Sequence, residues 1–190
     1  NTALLNPWYR LNGTIDLPLG TSGNVTVQYL DVSQQVIAQT GFNMSFADSS
    51  HGTRVLDQAA FAVRIPDVTG TVKIVLKREG SVIAERVVSP SPPKVTVLNP
   101  NGGEIFEPGD NITVRWSSSD PDGGDLRHVV SLSLDGGTTW DPIAVGLAGT
   151  EFSFSAPPNI SDDALIRVVA TDGINTGEDI SNSRFSINTL

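Results

Sequence analysis

The sequence contains no cysteine, which excludes disulfide bonds, zinc–cysteine sites and thiol catalysis. No apolar run approaches the roughly 18 residues that a membrane-spanning helix needs, so no span is predicted. Basic residues are scarce, with 12 Lys and Arg against 21 Asp and Glu and a net charge of −9. Because an acidic surface repels phosphates, nucleic-acid binding is disfavoured. Aromatic residues make up 6% of the chain, but 38% of it is hydrophobic, which is enough to fill a core.

A proline-rich stretch divides the chain. Three of the five residues 89–93 are proline, and such a stretch continues neither a helix nor a strand ladder. Residues 1–93 carry seven basic and seven acidic side chains, whereas residues 94–190 carry five and fourteen, so the acidity belongs to the second half. Each half has the size of one small β-sandwich. We therefore predict one module at residues 1–90 and a second at residues 94–190.

The second half alternates apolar and polar residues, which is the pattern of half-buried strands. Runs rich in Gly, Pro, Asn and Asp separate the strands and predict turns. Six or seven short strands at this spacing predict an antiparallel sandwich. The inward positions include Val97, Ile112, Val114, Trp116, Val130, Leu132, Phe152, Phe154, Ile166, Val168, Phe185 and Ile187.

The first half shows the same rhythm less regularly. It predicts strands at residues 25–30, 36–40 and 60–65, and a hairpin of residues 71–76 and 81–88 that turns at residues 78–80. Residues 43–57 are polar without a period and predict a long loop. No stretch predicts an amphipathic helix, so the fold class is all-β, with two tandem antiparallel β-sandwiches.

Two stretches of the second half carry a family resemblance. The first runs from Val97 to Glu104 and continues into Asn111–Trp116; the second runs from Ser119 to Trp140. They resemble the immunoglobulin-like and fibronectin type III-like modules of large prokaryotic secreted and cell-surface proteins, including accessory regions of extracellular peptidases. The resemblance covers residues 94–188 and implies a non-catalytic part of a larger exported protein. It departs from fibronectin modules where Ile166 stands in place of their tethering tyrosine.

Residues 133–140 match the Asp-box pattern S-x-D-x-G-x-T-W at every fixed position. Asp135 is placed to accept hydrogen bonds from turn amides, Gly136 and Gly137 permit positive φ, and Trp140 is placed to cover the hairpin. The motif resembles one found in sialidase propellers and in many non-enzymatic β proteins. A propeller needs repeated blades, and none is found here. The box therefore predicts a structural hairpin.

One glycine-containing loop concentrates acidic residues. Asp120, Asp122 and Asp125 offer the hard oxygen ligands that Ca²⁺ prefers, so they are the candidate metal ligands. The spacing resembles the start of an EF-hand loop, but the twelfth position counted from Asp120 is Ser131 rather than Glu. The opposing interpretation is a solvated acidic turn without metal. Calcium is the only cofactor that the sequence suggests.

Catalytic patterns are weak. The two histidines, His51 and His128, fall in different halves, and neither a Gly-x-Ser-x-Gly elbow nor a His-Glu-x-x-His motif occurs. The sequence therefore predicts no catalytic residues and no enzyme within this chain.

The expected role follows from these points. We expect a non-catalytic extracellular or cell-surface region that spaces or presents other domains of the same parent protein. Two alternatives stay open: a carbohydrate-binding module, which an exposed row of aromatic residues on one sheet would support, and a substrate-contacting region of a secreted peptidase. An enzyme in its own right would need converging His, Ser or acidic residues in a pocket. Protein or glycan ligands are the expected partners, and nucleic acid is not.

Overall fold

A computed structural model describes residues 2–6, 8, 20–45, 47–48, 54–55 and 60–189 of the chain. These residues form strands, turns and extended segments, which confirms the all-β prediction. Nowhere in them does a helix of membrane-spanning length and apolarity occur. The chain divides into two compact units. The N-terminal unit comprises Asn1–Leu5 and Leu11–Val88, and the C-terminal unit comprises Asn6–Arg10 and Ser89–Leu190. The C-terminal unit thus includes a short segment that the sequence analysis placed in the first module.

The N-terminal unit contains a four-stranded antiparallel sheet in the order β2-β1-β5-β6. Its strands are β1 (Val25–Leu30), β2 (Val36–Phe42), β5 (Lys73–Arg78) and β6 (Ser81–Val87). Two shorter strands, β3 (Ala47–Asp48) and β4 (Arg54–Val55), pair antiparallel within the predicted loop. Glu79 and Gly80 turn the β5–β6 hairpin with φ of 49° and 84°. Positive φ at both turn residues matches the right-handed twist of the strands, so the predicted hairpin is confirmed.

The predicted strand at residues 60–65 is wrong. These residues lie outside every ladder, although Phe61, Val63 and Ile65 are half-buried while Ala62 is exposed. Burial therefore does alternate along this segment. The cause is an extended chain that points every second side chain inward, without pairing to a strand. Phe61 makes this contact with Phe42, at 5.8 Å between ring centroids. A ladder also requires a free neighbouring edge, which side-chain periodicity does not supply.

The C-terminal unit is a two-sheet sandwich. One sheet has the order β12-β9-β7, formed by β7 (Lys94–Asn99), β9 (Asn111–Ser119) and β12 (Glu151–Ser155). The other has the order β11-β10-β13-β15-β8, with β14 also paired to β13. Its strands are β8 (Ile105–Phe106), β10 (Arg127–Ser133), β11 (Asp141–Leu147), β13 (Ser161–Thr171), β14 (Thr176–Ile180) and β15 (Phe185–Ile187). All pairs are antiparallel except β15 with β8.

The interior of this sandwich is apolar and confirms the predicted inward positions. The side chains come from both sheets, as the period of two requires. Trp116 is 2% exposed, and its ring meets that of His128 edge-on at a centroid distance of 5.3 Å. Phe152 and Phe154 pack against the core from the edge strand. The buried members are Val97, Ile112, Val114, Trp116, Val130, Leu132, Ala156, Ala164, Ile166, Val168, Phe185 and Ile187.

Candidate functional site

The acidic loop that connects β9 to β10 is a compact turn. Asp120 accepts the Asp122 amide on its Oδ1 at 2.9 Å, and its carbonyl accepts the Gly123 amide at 3.1 Å. Gly123 and Gly124 both have positive φ, of 78° and 109°, which only glycine adopts without strain. These contacts are those of an Asx-turn, so Asp120 has a structural role in the loop that needs no ligand.

The loop does not gather its carboxylates around one point. The Asp122 carboxylate accepts the Ser91 amide on Oδ2 at 2.7 Å, whereas Asp120 and Asp125 line an open depression. The buried Oδ2 of Asp120 has no hydrogen-bond partner. Within the described ranges, no three His, Cys, Asp or Glu residues are grouped closely enough to hold a metal ion. Calcium binding by Asp120, Asp122 and Asp125 therefore stays a prediction.

The depression has a volume of about 470 Å³ and lies where β9 ends and β10 begins. His128 is one of its lining residues, is 1% exposed, and bridges the two sheets. Its Nδ1 lies 3.1 Å from the Leu147 carbonyl oxygen, and its Nε2 lies 2.8 Å from Ser118 Oγ. Because a carbonyl only accepts, Nδ1 carries the proton. In the neutral ring, Nε2 then accepts a hydrogen bond from the Ser118 hydroxyl.

Burial lowers the pKa of His128 below its ordinary value, the hydrogen bond to the Leu147 carbonyl opposes this, and the nearby Arg127 charge adds to the lowering. Both ring nitrogens have partners that suit the neutral ring, so the geometry is compatible with the lowered pKa. A buried neutral imidazole with both nitrogens bonded is stable, whereas a buried imidazolium would need a counter-charge. This part of the sandwich therefore favours the neutral histidine near pH 7.

Ser118 and His128 form a hydrogen-bonded pair that the sequence does not reveal, because their ten-residue separation matches no motif. The pair has the nucleophile and base of a hydrolase, but a backbone carbonyl stands where a triad has a carboxylate. The bridge joins β9 of one sheet to β10 and β11 of the other. Its direct effect is to hold the two sheets together at this end.

The Asp-box forms a tightly bonded hairpin. The Asp135 carboxylate accepts Thr139 Oγ1 at 2.6 Å, the Thr139 amide at 2.9 Å and Ser133 Oγ at 2.8 Å. The Thr139 side chain, then its amide, then Ser133 lower the pKa of Asp135 to about 2. Gly136 and Gly137 have φ of 69° and 91°. All of these bonds lie within the turn itself, so the geometry agrees with a structural hairpin.

Trp140 at the end of this hairpin is covered on one face. The Arg167 guanidinium carbon lies 4.6 Å from its ring centroid, a cation–π arrangement. A methyl group at Gly137 would approach Trp140 Cζ2 to 3.4 Å, so the turn also packs closely on the ring. A sugar would have to displace Arg167 to stack there. Trp116 is core, and His51 and Tyr9 lie outside the described residues.

Comparison with known proteins adds little. No protein-family model matches the chain, and no curated protein matches its sequence. The chain is similar to a solved structure of fibronectin(III)-like modules of Clostridium thermocellum CbhA, with a TM-score of 0.42 and 16% sequence identity. The likeness covers 92% of this chain and 82% of that one. At this level it assigns no function.

Proposed function

We propose that this chain is a non-catalytic accessory region of a larger protein, which spaces or presents the other domains of that protein. The proposal rests on the observation that polar side chains of the C-terminal unit bond within that unit. His128 bridges the two sheets, Asp135 closes a hairpin, and Asn175 binds the linker, which is the proline-rich stretch of residues 89–93. Each of them bonds to a neighbouring part of the same unit. The sandwich interior is filled by apolar residues.

The linker supports a spacing role. Within residues 89–93, Ser89 and Ser91 are bonded to Asn175 and Asp122, and the sandwich begins directly after the stretch at Lys94. Proline at three of these five positions restricts φ and stiffens the chain. A spacer works by keeping its own dimensions, and both features favour that.

The proposed location is outside the cell or at its surface. The support is the resemblance of residues 94–188 to modules of prokaryotic surface proteins, together with the acidic, glycine- and aspartate-rich turns. Proteinase treatment of intact cells that carry the tagged parent protein tests this directly. We expect the region to be digested without lysis; full protection until lysis would contradict an external location.

Domain replacement in the parent protein tests the role itself. One version replaces this region by two unrelated rigid sandwiches of matching length, and a second replaces it by a flexible Gly/Ser chain. If the region is a spacer, the rigid replacement restores the activity of the parent protein and the flexible one does not. If the rigid replacement fails while the native region works, the region carries a specific binding surface, as the carbohydrate-binding and substrate-contacting alternatives require.

The calcium proposal has its own test. Titration of the full chain with Ca²⁺, followed by calorimetry and by melting temperature, should show binding and a rise in Tm if Asp120, Asp122 and Asp125 are ligands. Occupation by Ca²⁺ would also draw the Asp122 carboxylate away from the Ser91 amide. Asp125→Asn should weaken the response, while Asp162→Asn, an exposed carboxylate remote in sequence, should not. If Ca²⁺ produces neither binding heat nor a rise in Tm, the calcium proposal is wrong.

A further inference from the structure

The turn between β13 and β14 is built on one carboxylate. Asp172 accepts the Ile174 amide at 2.7 Å and the Asn175 amide at 2.6 Å, both on Oδ1. Gly173 has a φ of 98°, and its amide donates to Thr171 Oγ1 at 3.0 Å. Thr171 and Asn175 are 0% and 4% exposed. Buried polar groups of this kind are costly unless they are bonded, so their partners matter.

The linker supplies one set of these partners. Asn175 Nδ2 donates to the Ser89 carbonyl at 2.8 Å and lies 2.7 Å from Ser89 Oγ and 3.2 Å from the Ser91 carbonyl. The Ser89 hydroxyl donates to Oδ2 of Asp172. A separate carboxylate, Asp122, accepts the Ser91 amide at 2.7 Å. Ser89 and Ser91 of the linker are thus bonded by side chains of the C-terminal unit that lie 31 to 86 positions further along the chain.

The Trp8 backbone supplies the other set. Trp8 donates its amide to the Gly173 carbonyl at 3.1 Å. The Trp8 carbonyl accepts the Thr171 hydroxyl at 2.6 Å. The Trp8 backbone is therefore held at both of its polar groups by two residues at this turn. Thr171 both shapes the turn and holds Trp8, because its hydroxyl accepts the Gly173 amide and donates to the Trp8 carbonyl.

We propose that the turn Thr171–Asn175 is a clasp that holds two stretches of chain on the C-terminal unit, the backbone at Trp8 and the linker. Asp172 is its organising residue, since its Oδ1 sets the turn that presents Gly173 and Asn175, and its Oδ2 binds the linker directly. The linker is consequently a structural part of the C-terminal unit rather than a free spacer. Opening the clasp releases the two stretches together.

Residue-resolved amide exchange by NMR on the full chain tests this. The two reporters are the Trp8 backbone amide, which donates to Gly173, and the Asn175 side-chain amide, which donates to Ser89; the Val114 amide in β9 reports the core. Asp172→Ala should accelerate exchange at both reporters at least tenfold and leave Val114 unchanged. Asn182→Ala, at an exposed position on the β14–β15 turn, is the matched control and should change neither reporter.

A gentler pair of variants keeps the test decisive if Asp172→Ala also loosens the core. Ser89→Ala removes only a hydroxyl of the linker, and Thr171→Val keeps its shape while losing the bond to Trp8. Together they should free both reporters with Val114 still protected. If either reporter keeps its wild-type exchange rate in Asp172→Ala or in this double variant, the clasp does not hold that stretch and the proposal is overturned.

Discussion

Gly177 offers the sharpest mechanical test of the C-terminal sandwich. It lies in β14 opposite Ala170, and a Cβ placed on it would come 1.9 Å from the Pro93 carbonyl oxygen and 2.9 Å from its carbonyl carbon. Real Cβ contacts essentially never fall below 3.0 Å, so β14 and the backbone at Pro93 would have to separate by about 1 Å or more. The obstacle is backbone, which has no rotamer to relieve it.

The surroundings resist that movement. β7 is bonded to β14 by the Val97 amide, which donates to Asp179 Oδ2 at 2.7 Å, and the linker just before Pro93 is bonded to Asn175. Overpacking in a well-packed region costs about 1–3 kcal/mol. Because β7 and the linker, on either side of Pro93, are both held by these bonds, we expect Gly177→Ala to lie at the upper end of this range. It should lower the free energy of unfolding by about 3 kcal/mol. For a domain of this size that lowers Tm by roughly 12 °C or more.

Gly149→Ala is the matched control. Gly149 lies in the β11–β12 loop, is exposed, and a methyl group added to it would meet no heavy atom within 4 Å. All three tryptophans, Trp8, Trp116 and Trp140, belong to the C-terminal unit. Denaturant unfolding followed by tryptophan fluorescence therefore reports that unit. If the two variants unfold within about 0.5 kcal/mol of each other, the size expected of a neutral surface change, the packing of Pro93 on β14 is not as described.

Three single side chains give the remaining predictions. Trp116→Ala should cost about 3–5 kcal/mol, whereas Trp116→Phe should cost clearly less, because the indole Nε1 is buried without a partner; equal losses in denaturant titrations would contradict this. Burial lowers the pKa of His128, so the unfolded chain takes up its proton first. Stability should then fall as pH drops from about 6.5 towards the lowered value, a fall that His128→Gln should lack and that unfolding titrations at several pH values would detect. NMR titration should place the Asp135 pKa at about 2, and Thr139→Val should raise that pKa. Thr138→Val should leave it unchanged, because the Thr138 hydroxyl bonds to the Asp135 carbonyl and not to its carboxylate. An unchanged pKa in Thr139→Val would refute the bonding scheme.

Local chemistry explains why much of the fold could be predicted. The alternation around Ile112, Val114 and Trp116 fixes which side chains turn inward, because successive side chains of a strand point to opposite faces. Gly80 supplies the positive φ of the β5–β6 turn through local backbone preference, whereas Glu79 adopts a positive φ against that preference. The segment at residues 60–65 shows the limit, since its alternation is real and its ladder is absent.

The candidate site depends on distant partners. The acidic loop is visible in the sequence, yet the Asp122 carboxylate is bonded to the Ser91 amide, 31 positions earlier. The Ser118–His128 bridge connects strands of different sheets, which a one-dimensional pattern does not relate.

The sequence by itself determined most of the longer strands, the inward faces of the C-terminal sandwich and the turns of its hairpins. Each of these depends on the conformational preference of a few consecutive residues or on the apolar area that they bury. Only the tertiary structure decided where the polar side chains find their partners. It brought Thr171 to Trp8 across 163 positions and Asn175 to Ser89 across 86, because a hydrogen bond depends on distance in space and not on separation along the chain.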